Sequence, residues 1–500
     1  MPISLSAAPL RLCLAVALIA GCGGRPAQVE PQPITTQADA RVHAPPAPPA
    51  PDVSSISRAD CLRLALANNR TFRIRHSALE RARFGRSIAY AQVYAPRLDA
   101  TYTMANTDDS GSGRVSAVAP ALGFDVAPFV ALNYAQNGQP ATGGDAYTTS
   151  YGVTVSRRLF NIHEMLRQRL PITIADKEYY VATNNVVLEG KKLALETTRT
   201  FLNVQRIEAR LRVRSRRVED AREFLVVVTD SVAHGFKAPV DELNASINLN
   251  QAEADLLEER TNLQNAKERL LSLLAMPLTA PLGIVPERIS DQAPVAPDIE
   301  RDVVRVKTHH EDLGNQLAEI DLEIDQLRIQ HDLLMPQLTA AFTAQHDESG
   351  IAAFDGSTSE ADIYKLTFTY NLPLDFNRAA RARYHQIRRQ LDEKSLALHD
   401  AEANLEGQLR SSGRRIEQLI ATVELAKRRL SAEQGRMEAT LNRYKAGNID
   451  NLEVTRSKQD LDNAEIALLD AEINSIIAES EYRAIMPQPV APQAPQAPAP

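Results

Sequence analysis

The residues best placed to undergo chemistry lie near the start of the chain. Behind Arg11, the apolar run 12–20 is too short to span a bilayer and ends in Leu18-Ile19-Ala20-Gly21-Cys22. Small residues leading into a cysteine form the pattern of a bacterial lipobox. The chemistry is cleavage before Cys22 followed by acylation of the new first residue. Each buried CH₂ contributes about 0.8 kcal/mol, so several acyl chains on one residue make a firm anchor. Gly23 stands where an aspartate would argue for retention in the inner membrane, so outer-membrane sorting is expected. The competing reading is an ordinary signal peptide with a chance cysteine.

Other reactive types are not arranged for catalysis. His309 and His310 are adjacent, and neighbouring helical residues face different ways, so they do not read as a metal pair. Asp241, Asp450 and Glu453 follow two glycine-centred reversals, where acids in a helix's first turn are stabilising in themselves. Asp450 and Glu453 also have capping-box spacing. No glycine-rich phosphate loop, zinc spacing or nucleophile pairing is visible, so the expectation is no catalytic residue, no cofactor, no metal and no enzyme activity. A net charge of -7, distributed rather than blocked, argues against a nucleic-acid partner. Of three cysteines, only Cys22 and Cys61 remain after cleavage, too few for an intrachain disulfide framework.

The elements that must position these residues form a duplicated unit. In 375–486, Leu391, Leu398, Leu405, Leu409, Ile416, Leu419, Val423 and Leu430 recur as a coiled-coil seam, the chain reverses at Ala446-Gly447-Asn448, and Leu461, Ala464, Leu468 and Ala471 lead back. Earlier, Ala194, Phe201, Val204, Leu211, Val218 and Leu225 run into His234-Gly235-Phe236, and Leu249, Ala252, Leu256 and Leu263 return. Each hairpin is preceded by a helix and two strands. Helix 57–95 stops at Pro96, Leu98, Ala100, Tyr102 and Met104 share one strand face, and Tyr147, Thr149, Tyr151, Val153 and Val155 share the next. The second copy has helix 300–335, Pro336, then Leu338, Ala340, Phe342 and Ala344, and then Tyr364, Leu366, Phe368, Tyr370 and Leu372. Segments 106–146 and 346–361 read as loops, and the apolar stretch 119–134 inside the first has no assigned role.

This fixes an expected fold class: mainly α with a small β part, a duplicated strand-strand and long coiled-coil helix unit. The divisions are 1–21 signal peptide, 22–56 proline-rich tether, 57–276 first repeat, 277–299 equatorial connection, 300–486 second repeat and 487–500 proline- and alanine-rich tail. The first long helix, 160–232, has about 73 residues, roughly 110 Å at 1.5 Å per residue, the second about 70, and each matches the two shorter helices of its copy combined. Strands of nine to eleven residues suit a tilted membrane crossing, but four cannot close a barrel, and open edges are not tolerated in lipid. Several chains must then share one barrel, and three would give twelve strands.

The order of elements, the proline stop before each first strand, the opening Cys61-Leu62-Arg63-Leu64-Ala65-Leu66-Ala67-Asn68-Asn69, and the tips Gly235-Phe236-Lys237-Ala238-Pro239-Val240-Asp241 and Tyr444-Lys445-Ala446-Gly447-Asn448-Ile449-Asp450-Asn451-Leu452-Glu453 together resemble the TolC-type outer-membrane efflux family over about 57–486. The resemblance implies a homotrimer in outer-membrane lipid with a periplasmic helical tube. It also implies a periplasmic adaptor and an inner-membrane pump as partners, and a passive exit duct for drug or metal efflux as the function. The lipobox favours that lipoprotein branch over a duct for type I protein secretion. A periplasmic adaptor lipoprotein and a coiled-coil surface protein are less compatible with two hairpins and four amphipathic strands.

By position after the tip glycine, the family's aperture acids map onto Asp241 and Glu453, with Asp450 beside them; a further family acid maps onto Arg456. Adaptor contact would fall on Gly235, Phe236, Lys237, Gly447, Asn448 and Ile449. The chain departs from the family's Asn-Pro at Asn69-Arg70 and from Arg-Pro-Asp-Leu at His310-Glu311-Asp312-Leu313. Pro171 is expected to kink the first long helix or delay its start.

Overall fold

The computed structural model describes residues 55–95, 97–105, 110–121, 124–135, 146–159, 163–235, 238–286, 296–335, 337–350, 359–371, 377–445, 449 and 451–487. Cys22, the tether and the tail lie outside the described residues. In chain order the elements are α1 (Arg58–Asn68), α2 (Arg70–Tyr94), β1 (Arg97–Ala105), β2 (Ser110–Ala121), β3 (Phe124–Ala135), β4 (Ala146–Arg158), α3 (Glu164–Ala233) and α4 (Pro239–Leu273). They continue as α5 (Ile299–His309), α6 (Glu311–Asp332), β5 (Gln337–Gly350), β6 (Ser359–Asn371), α7 (Arg378–Lys445) and α8 (Asn451–Ile485). The contacts divide the described chain into a sheet-bearing unit (81–180 and 318–395) and a helical unit (55–80, 181–317 and 396–487).

In the sheet-bearing unit, six strands form one antiparallel meander in the order β1-β2-β3-β4-β5-β6. This corrects the expected strand count. Segment 106–146 is not a single loop, because β2 and β3 fill most of it. Twelve strands from three copies required four per chain, and the described residues of each chain form six. The reason lies in composition: Gly111, Gly113, Pro120 and Pro128 lower the strand signal, although the register holds the first three in the β2 ladders and pairs Pro128 with Val153 of β4. The second expected loop is also shorter, since β5 extends to Gly350 and β6 begins at Ser359.

The start of α3 is held within this unit. The backbone N–H of His163 donates to Asp332 Oδ2 (2.6 Å), and Arg167 Nε donates to the buried Glu164 (3.0 Å). Pro171 lies inside α3, which begins upstream of it at Glu164, so the delayed start is not seen. Proline removes one intrahelical donor, and the anchored first turn tolerates that loss.

The helical unit has two main apolar clusters. Phe201, Leu202 and Val204 of α3 pack with Leu270 and Leu271 of α4, Cys61 and Ala65 of α1, and Ile473 and Ile476 of α8. Val303 and Val306 of α5 pack with Leu409 and Ile416 of α7 and with Ala478 and Tyr482 of α8. Burial pushes the Cys61 thiol up to about 12, leaving it protonated and inert. A charge ladder joins α3 to α8: Arg199 to Glu481 (2.6 Å), Arg206 to Asn474 (2.7 Å), Arg210 to Asp470, and Arg216 to Glu465 (3.8 Å).

Helices expected to be continuous over 57–95 and 300–335 are each broken once. Asn69 leaves helical geometry at φ -59°, ψ 126°, and its Oδ1 accepts from the N–H groups of Thr71 (3.0 Å) and Phe72 (3.2 Å). His310 does the same at φ -69°, ψ 133°, with Nδ1 accepting from the Asp312 N–H (3.2 Å). These are the two places where the resembled family carries proline. The side-chain cap satisfies donors orphaned at the new helix start, so the break persists without the proline.

Candidate functional site

The sheet presents two chemically different faces because successive residues of a strand point to opposite sides. One face carries Asp99, Thr101 and Thr103 of β1, Ser112, Arg114 and Ser116 of β2, Thr148, Ser150 and Thr154 of β4, Thr343 and Gln345 of β5, and Lys365, Thr367 and Thr369 of β6. This face is concave, and Ser112, Arg114, Asn133, Ser150, Thr343 and Lys365 line a depression of about 420 Å³. The Arg114 guanidinium lies over the Phe129 ring, 4.4 Å from its centroid.

The other face carries Leu98, Val115, Val126, Val130, Leu132, Val153, Val155, Phe342, Leu366, Phe368 and Tyr370. Leu98 (65%), Tyr364 (72%), Leu366 (61%) and Phe368 (60%) are largely exposed, which a folded chain in water would avoid. The apolar span shifts along the strands. On β4 it includes Tyr147 and Tyr151, whereas level with Tyr151 the later strands carry His346 and Asp362, and level with Thr149 they carry Glu348 and Glu360. A flat apolar layer cuts tilted strands at shifted residues in this way. Gly152 marks a close approach, since a Cβ there would lie 2.3 Å from the Ala344 carbonyl oxygen.

At the first helix tip Gly235 has φ +74°, the left-handed conformation that lets the chain leave α3. Asp241 Oδ2 accepts from the Ala238 N–H (3.3 Å), which gives it a capping role in α4. Glu453 is exposed in the first turn of α8, with Arg456 exposed one turn on, and Ile449 is partly buried. Phe236, Lys237, Gly447, Asn448 and Asp450 lie outside the described residues. Among the described residues no hydrogen bond or ion pair joins Asp241 to Glu453. Val226, Val227, Val240, Leu243, Ile247 and Leu452 around the tips are all more than half exposed.

Sequence reasoning missed a polar site at the second helix break. Lys191 Nζ donates to both oxygens of Glu311 (2.6 and 2.7 Å) and to the Met486 carbonyl (2.9 Å), with both side chains buried. The available signal was Lys191 itself, a charge falling within an apolar face. Burial holds the neighbouring His310 ring below the usual histidine range; Lys191 adds to that effect and Glu311 opposes it. His309 instead meets the Thr308 hydroxyl (2.6 Å). Among the described residues no cluster could hold a metal ion, and no helix is long and apolar enough to cross a membrane.

A family model described as outer membrane efflux protein matches residues 61–276 and 303–486. The chain belongs to the outer membrane efflux protein family. It is an outer-membrane exit duct for efflux, a channel and not an enzyme. Comparison with curated proteins gives no match. Among solved structures, the efflux protein is similar to CusC (14% identity, TM-score 0.64), over 86% of this chain and 92% of that one. It is also similar to VceC of Vibrio cholerae, an outer membrane protein (12%, TM-score 0.63, 86% and 95%), and to the open state of the MtrE outer membrane channel of Neisseria gonorrhoeae (14%, TM-score 0.62, 86% and 88%). At such identities these likenesses speak for the fold.

Proposed function

We propose that three copies of this efflux protein close one barrel in the outer membrane. The helical hairpins then form a periplasmic tube that receives drugs or metal ions from an inner-membrane pump through a periplasmic adaptor. One observation carries the reading: an exposed apolar face is backed by a polar concave face on a sheet whose end strands, β1 and β6, each pair on one side and leave the other edge open among the described residues. Lipid does not tolerate open strand edges, so a sheet with a lipid-type face has to be completed by other copies. Acylation of Cys22 adds an anchor, with 22–56 as tether. The two repeats, 57–276 and 300–486, supply the two hairpins, and their tips at Gly235, Phe236, Lys237, Gly447, Asn448 and Ile449 meet the adaptor.

Asp241 and Glu453, with Asp450, are proposed to ring the aperture at those tips. Threefold symmetry would gather three copies of each acid, favouring cations at the entrance. Asp241 also caps α4, accepting from the Ala238 N–H through Oδ2.

The test is the mass and location of the purified protein. A trimer in detergent, recovered from outer membranes together with a co-purifying adaptor, is the expected result. A compact monomer with residues 338–344 and 364–370 protected from lipid-soluble labels would overturn it. Cys22→Ala should remove the acyl anchor while leaving the barrel inserted.

A further inference from the structure

We infer that β2 and β3 are an inserted pair of barrel strands that widens the outer-membrane passage from the expected twelve strands to eighteen, fitting it to bulky polar solutes. The inference rests on the shared-barrel reading above. Neither strand is an appendage: β2 pairs with β1 over Arg97↔Val118 to Ala105↔Ser110, and β3 pairs with β4 over Asp125↔Ser156 to Ala135↔Ala146. The β2–β3 ladder lapses only at Ala117 and Val118, beside Pro128, which has no N–H to donate. The two strands are therefore structural members of the wall.

Their side chains also continue the two faces. Val115, Val126, Val130 and Leu132 extend the apolar side, and Ser112, Arg114, Ser116 and Asn133 extend the polar side. The otherwise unexplained apolar stretch 119–134 thus supplies wall strands at 119–121 and 124–134. An even number of strands has been added, so β1 and β4 remain antiparallel to one another in direction. Following the register across the hairpin, Thr101 lies level with Ser150 through Arg114 and Ala131, and Ala100 lies level with Tyr151 through Val115 and Val130. Polar stays level with polar and apolar with apolar, so the hairpin enlarges the wall without reversing any neighbour.

Six strands in each of three copies make eighteen. Barrel diameter grows roughly linearly with strand number, so the lumen cross-section rises about twofold over twelve strands, into the range that leaves an aqueous channel. Arg114 and Lys365 add positive charge to a wall that also carries Asp99, hydroxyls and amides, with Phe129 and Ala131 as apolar interruptions.

The test uses the full-length protein in lipid nanodiscs, imaged to strand resolution, beside a variant lacking 106–135 that joins Ala105 to Gln136. Eighteen strands in the wild type are expected. For the variant, twelve strands are expected, together with an about twofold smaller lumen and a lower size cut-off for polyethylene glycols added from the barrel side in planar bilayers. A wild-type trimer closing twelve strands with β2 and β3 outside the wall would overturn the inference and leave the duct reading intact. Failure of the wild type to share a barrel would overturn the duct reading itself. If the deletion prevents folding, the wild-type strand count decides alone.

Discussion

The two repeats differ in a lopsided way. Their helices match closely: 11 and 11 residues in α1 and α5, 25 and 22 in α2 and α6, 70 and 68 in α3 and α7, and 35 and 35 in α4 and α8. Their strands do not, since among the described residues the first repeat has four and the second two. Antiparallel helices that pack side by side constrain one another's length, because an overhanging turn loses its apolar partner. A meander has no such constraint, and a hairpin inserted between paired strands keeps both ladders intact. The helix breaks differ too. The first is held by an amide cap at Asn69, and the second combines an imidazole cap at His310 with the buried Lys191–Glu311 pair.

The largest effect should come from removing that pair's cation. Lys191→Ala removes the buried cation that Glu311 faces, and breaking such a pair costs about 3–5 kcal/mol. Thermal unfolding in detergent, followed by circular dichroism, should show a clear fall in Tm, while Lys191→Met combined with Glu311→Gln should recover much of it. An unchanged Tm in Lys191→Ala would mean that the second break does not depend on the ion pair.

Next in size is Gly152→Val at the junction between the repeats' strands. The new side chain would press on the β5 backbone at Ala344 and Gln345, and overpacking of this kind costs about 1–3 kcal/mol. Faster proteolysis of the sheet, with the helices still resistant, is the expected readout. Asn69→Ala should cost about 1 kcal/mol by removing the cap on α2, seen as faster amide exchange at Thr71 and Phe72.

The smallest effect separates the two caps by pH. His310 is held below the usual histidine range, so near neutrality it is uncharged and Nδ1 can accept from Asp312. As pH falls below about 6.5 the unfolded chain takes up a proton that the folded one resists, and stability declines from there toward the lower folded value. Amide exchange at Asp312 should therefore quicken between pH 7 and pH 5, with no matching change at Thr71. Equal pH responses at both sites would remove the distinction between the caps.

Much of this fold was legible because helices and membrane-facing strands leave periodic patterns. The seam through Phe201, Leu211 and Val218, and the alternation Leu338, Ala340, Phe342, locate both long helices and four strands. The inserted hairpin was not legible for a physical reason: Gly111 and Gly113 offer no side chain to alternate, and Phe129 and Ala131 place apolar groups on the polar face. The two breaks were hidden because apolar spacing runs on through them, and the deciding interactions are side-chain caps rather than a proline. Of the tip residues, Asp241 could be placed by its position six residues after Gly235, and its cap at Ala238 is visible only in the structure. The Lys191 site could not, since its partners lie 120 and 295 residues away.

The charge ladder between α3 and α8 bears on how the chain comes into being. Arg199, Arg206, Arg210 and Arg216 are made and exported long before Asp470 and Glu481. During that interval the row of four arginines lacks the partners that α8 supplies. Arrival of the last helix neutralises the row, so a molecule cut short of its final turns would be marked by charge as unfinished.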